Sequence, residues 1–61
     1  MPDPLRRSRR YRERADECRK LAALAKSPEA RAEYEKLAGF YDEIAEAELK
    51  LANADRTNKA N

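Results

Sequence analysis

Sixty-one residues, 43% of them charged and 41% apolar, leave room for one small domain with a thin core, since twelve of the apolar positions are alanine. One cysteine excludes an intrachain disulfide, and the absence of histidine removes the commonest zinc ligand. No stretch approaches the roughly 20 apolar residues of a membrane span, so self-association is the remaining common way to stabilise a chain this short.

In chain order, Met1-Pro2-Asp3 runs into arginines without an apolar leader segment, which reads as cytoplasmic. Residues 1–3 are expected to form a short arm. Asp3 is placed to cap a first helix with Pro4 at its opening position, where a missing N–H costs nothing. From Leu5 to Lys26 there is no glycine, proline or β-branched residue, so a helix over about 4–26 is predicted. Ser27-Pro28-Glu29 repeats the start signal: Ser27 can cap, the residue before proline avoids helical backbone, and Glu29 complements the positive helix end. A second helix is predicted over about 28–52. Beyond it, 53–61 reads as a polar, disordered tail.

A connection this short makes the two helices double back as an antiparallel αα-hairpin. At 100° per residue, Tyr11, Ala15, Cys18, Leu21, Ala22 and Ala25 share one narrow face of the first helix, with Leu24 at its margin. The second helix is apolar over about half its circumference, from Ala30 and Tyr34 to Leu51 and Ala52. That is wider than one neighbouring helix can cover. The surplus falls on Phe40, Ile44, Ala47 and Leu51 on one flank, or on Ala38, Ala45 and Leu49 on the other. The expected fold is therefore all-α, an antiparallel two-helix hairpin dimerising into a four-helix bundle, with Leu37, Phe40, Ile44 and Leu51 as the central self-association contacts. A shift of 23 positions superimposes Tyr11 on Tyr34, Ala15 on Ala38, Leu21 on Ile44 and Ala22 on Ala45. Duplication and chance resemblance between alanine-rich helices explain this equally well.

Charge divides the chain: residues 1–26 carry net +5 and residues 27–61 net −3. With the turn near Ser27, Arg7 should face Glu48 as a partly buried ion pair, Arg14 should lie over the Tyr41 ring, and Arg12 near Glu43. Arg6, Arg9 and Arg10 have no evident partner within the chain. Together with Arg12 they are the candidate nucleic-acid contacts, an alternative to a merely solvated face. Cys18 reads as a small buried hydrophobe, the tyrosines as core-edge residues, and Gly39 as an exposed helical position that costs stability.

Catalysis finds no footing: there is no histidine, glycine-rich phosphate loop or nucleophile beside a base. The expectation is a non-enzyme without catalytic residues, cofactor, metal, small-molecule substrate or membrane contact. It would be a homodimer or the partner of another protein, with nucleic-acid binding as the alternative.

The run Tyr11-Arg-Glu-Arg-Ala15-Asp-Glu-Cys18-Arg-Lys-Leu21-Ala22, with Ser27-Pro28-Glu29-Ala30-Arg31 and Tyr34-Glu-Lys-Leu37-Ala38, resembles short helical-hairpin proteins of alphaproteobacteria that have no assigned activity. The resemblance spans about residues 11–50 and implies a hairpin in a bacterial cytosol. In architecture alone the chain is similar to the Rop family of plasmid copy-number regulators, dimeric αα-hairpins that bind paired RNA loops.

Overall fold

A computed structural model describes the backbone of residues 3–60 and the side chains of residues 3–54. Two helices, α1 (Pro4–Leu24) and α2 (Pro28–Ala60), pack against each other as an antiparallel hairpin. Both start signals act as the sequence implies. Asp3 Oδ1 accepts from the Leu5 N–H at 3.0 Å, Pro4 occupies the first turn, and Ser27 Oγ accepts from the Ala30 N–H at 3.1 Å.

The helix ends differ from expectation. α1 stops at Leu24 rather than about Lys26, because Ala25 is already extended (φ −65°, ψ 136°) while its N–H bonds back to the Ala22 carbonyl at 3.2 Å. Chain reversal needs Ala25 and Lys26, since Ser27 must serve as the next cap. α2 continues to Ala60, past residue 52; no glycine or proline follows Gly39, and extending a formed helix costs far less than starting one. The expected arm at residues 1–3 falls mostly outside the described residues. The stretch 53–61, expected as a disordered tail, has a helical backbone over 53–60 as the last turns of α2; Asn61 and the side chains from residue 55 onward lie outside the described residues.

The interface is a seam with heptad spacing. Ser8, Tyr11, Ala15, Cys18 and Ala22 on α1, with Ala25 just past its end, face Tyr34, Ala38, Tyr41, Ala45, Glu48 and Ala52 on α2, and every one of them is buried or half-buried. At every seventh position stands a small residue: Ser8, Ala15 and Ala22 on one side, Ala38, Ala45 and Ala52 on the other. These let the backbones approach closely. Ser8 Oγ, on a one-carbon arm, donates to the Ala45 carbonyl of the opposite helix at 2.9 Å. Such reach places the axes at the near end of the usual range, about 8 Å apart. Ser8 is the one buried polar residue among those described, and it was not singled out from sequence because a serine among arginines looks like solvated surface.

Tight closure has a consequence for large side chains. None is fully buried among the described residues. Leu21, expected on the buried face, is 46% exposed; it lies beside the Ala22 seam, and a gap set by alanines cannot admit it. Leu24 is exposed as well. The two equivalences that pair Ala15 with Ala38 and Ala22 with Ala45 join buried seam positions, whereas Leu21 and Ile44 are both exposed.

With Ser8 facing Ala45, the first residue of α1 comes level with about residue 49 of α2. The rest of α2 projects beyond α1, consistent with a longest dimension of 52 Å.

Two substitutions check this packing. Ala45→Leu should lower stability to urea by roughly 1–3 kcal/mol, as overpacking does, or splay the hairpin. Gly39→Ala should raise it by about 1 kcal/mol, because a methyl group there meets nothing within 4 Å.

Candidate interaction surface

The hairpin has two unlike flanks. On one, the Arg19 guanidinium donates to Asp42 Oδ2, with Asp16 one turn away at 3.8 Å. Side chains lean toward their own helix N-terminus, so in an antiparallel pair Arg19 and Asp42 incline toward each other across several residues of offset. The hydrogen bond to Asp42, and then its charge, raise the Arg19 pKa further above its ordinary value. A shallow groove of about 700 Å³ continues this flank toward the turn, lined by Arg19, Ala22, Ala23, Arg31 and Glu35. This pair was not foreseen, because matching residues level with one another assigns Arg19 a partner nearer the turn.

The other flank is apolar. Leu37, Phe40, Ile44 and Leu51 are 43%, 51%, 40% and 55% exposed. Ala38 and Ala45 are buried in the seam and Leu49 is half-buried, so the surplus apolar surface is the stripe through Phe40, Ile44, Ala47 and Leu51. Leu37, Phe40, Ile44, Ala47, Leu51 and Ala54 recur at alternating spacings of three and four, which is a second heptad seam beside the first. No described residue closes it.

The boundary between the two seams holds the expected ion pair. Arg7 Nε lies 3.2 Å from Glu48 Oε2, and the Glu48 side chain is 17% exposed. Both atoms are shielded from solvent, yet they are not aligned as a hydrogen bond, so charge rather than a directed bond holds them. The contact expected between Arg14 and Tyr41 is not formed. Tyr41 stacks on Tyr11 with ring centroids 6.0 Å apart at 24°, and Arg14 stays exposed. The two tyrosines are both seam residues that meet once Ser8 and Ala45 fix the register, so one face of the Tyr41 ring is taken by Tyr11. Arg12 and Glu43 are both exposed and form no ion pair.

Arg6, Arg9, Arg10 and Arg12 are exposed at the start of α1, and none enters an ion pair among the described residues. Cys18 is buried among Ala15, Ala38 and Tyr41. Among the described residues no group of three or more His, Cys, Asp or Glu side chains could hold a metal ion, and no helix is long and apolar enough to cross a membrane.

No family model, no curated protein and no solved structure matches this chain.

The ion pair at the seam boundary can be tested in isolation. Arg7→Met should lower stability by about 1 kcal/mol by stranding the shielded Glu48 carboxylate. Adding Glu48→Leu should recover most of that loss in the same urea titration.

Proposed function

We propose that the chain is a small non-enzymatic helical-hairpin protein whose work is association, as a self-assembly or protein–protein interaction module. The observation that carries this reading is the exposed second seam on α2. Four large apolar side chains lie along one flank of a helix, in a chain whose own core contains only small residues. Heptad spacing is what a further helix requires, because knobs at alternating three- and four-residue steps fill the holes of a facing helix. Small monomeric proteins seldom leave such a contiguous patch open. A homodimer forming a four-helix bundle is the simplest assembly that closes it.

Sedimentation equilibrium of the purified chain should give a mass near twice 7.0 kDa at micromolar concentration, and Ile44→Asp should return it to one chain. A wild-type chain that stays single throughout would turn the search to a different protein partner. A variant that keeps the doubled mass would remove Ile44 from the interface.

A second reading is nucleic-acid binding, favoured by one observation: Arg6, Arg9, Arg10 and Arg12 stand exposed on the first turns of α1, without an ion-pair partner among the described residues. Arginines so placed can contact phosphates without first breaking an internal ion pair. Retention of RNA or duplex DNA at low salt, falling steeply as salt is raised and lost on changing these arginines to alanine, is the expected result. Absence of retention at low salt would dismiss it.

A further inference from the structure

The open seam has a charged outer border that specifies its occupant. Glu29, Lys36, Glu43 and Lys50 follow one another every seventh residue along the solvent side of the stripe, alternating in sign. All four are exposed, and none takes part in an ion pair among the described residues. In an antiparallel helix pair these border positions face their own counterparts on the partner. A border alternating in sign every heptad therefore distinguishes registers: sliding one copy by a heptad exchanges unlike pairs for like ones.

We propose that the occupant is a second copy of this chain, docked antiparallel through α2, with Phe40 against Leu51, Ile44 against Ala47 and Glu43 paired with Lys50 across the interface. Two-fold symmetry supplies each contact twice. Large side chains meet small ones in the layers beside the axis, and all four exposed residues of the stripe are covered. Sliding the copies by one heptad toward the turn sets Glu43 against Glu43 and Lys36 against Lys50, and buries Glu33 against Leu51. Sliding by two restores unlike pairs, but it packs the Glu33 carboxylate on Ile44 and leaves Leu51 with nothing opposite. A parallel pair brings Glu43 toward Glu48, a like pair at the centre of the stripe, and gains no ion pair among the described residues. The chosen register also overlaps the two α2 helices over nearly their whole length. The part of α2 that projects past α1 then lies along the first turns of the partner's α2.

The proposal rests on the self-assembly reading and adds the identity, direction and register of the partner. Its test is a charge exchange at two exposed positions, where substitution leaves the hairpin's own seam intact. Glu43→Lys and Lys50→Glu, each alone, should weaken self-association by about tenfold at low salt. An equimolar mixture of the two variants should associate at least as tightly as wild type, because every cross-pair is then unlike. The doubly exchanged chain should do so by itself. Sedimentation equilibrium reads these four samples and wild type, with circular dichroism verifying equal helix content. A dimeric wild type whose single variants associate normally, with no preference in the mixture, overturns the register while leaving self-assembly standing. A wild type that remains monomeric at every concentration overturns self-assembly and this proposal with it.

Discussion

The close approach of α1 and α2 along small residues is the constraint on which everything else in this hairpin depends. A serine hydroxyl reaches a carbonyl of the facing helix only if the axes are nearly in contact, and Ser8, Ala15, Ala22, Ala38 and Ala45 supply that contact by having almost no side chain. Dispersion between closely apposed backbones replaces part of what large buried side chains give other folds. The replacement is incomplete: alanines bury little apolar area, so the hairpin draws only modest stability from its own core. The gap set by small residues does not admit the larger side chains beside it. Leu21, Leu37, Phe40, Ile44 and Leu51 stand on faces next to the seam and are exposed, which leaves the flank of α2 open.

Much of this architecture was legible in the sequence, and the exceptions share a physical cause. Capping by Asp3 and Ser27 could be read because it depends on residues two or three positions apart. The Arg7–Glu48 pair could be read because a short turn fixes which residues lie level. Ser8 could not: its role depends on the interaxial distance, which no pattern of apolar residues states. Misplacing Leu21 on the buried face had the same origin, since a helical wheel gives direction and says nothing of how much room lies in that direction. Arg14 lost its expected seat over Tyr41 to Tyr11 once the tyrosines were brought together. Arg19–Asp42 was missed because two leaning side chains span an offset that level matching ignores. On the candidate surface, Leu37, Phe40, Ile44 and Leu51 were recognisable as surplus. Choosing between the two flanks required knowing that Ala38 and Ala45 form the seam.

Charge makes the two flanks unequal in a way that apolarity alone would not. Arg19, Asp42, Arg31 and Glu35 give one flank a mixed, hydrated border, and covering it would mean stripping water from several charges. The opposite flank holds its charges only at the rim, where they can orient a partner without being desolvated. An approaching helix therefore has one face that it can cover cheaply. The arginines at the start of α1 lie at the end of that helix remote from the turn, and all of Arg6, Arg9, Arg10 and Arg12 are exposed.

Folding and association are expected to be linked in a molecule built this way. A typical specific interface covers about 800 Å² of each partner. Set against 5200 Å² of accessible surface, that is roughly a sixth of the hairpin, and the stripe on α2 would contribute its most apolar part. Whatever binds the folded chain and not the unfolded one adds its binding free energy to stability. For a hairpin whose fully buried residues are all small, that addition is comparable with the intrinsic term, and if the bound molecule is a second copy, melting would depend on protein concentration. The small-residue seam thus has two effects at once: it limits what the single chain can hold together, and it leaves exposed the side chains through which a second chain can complete the fold.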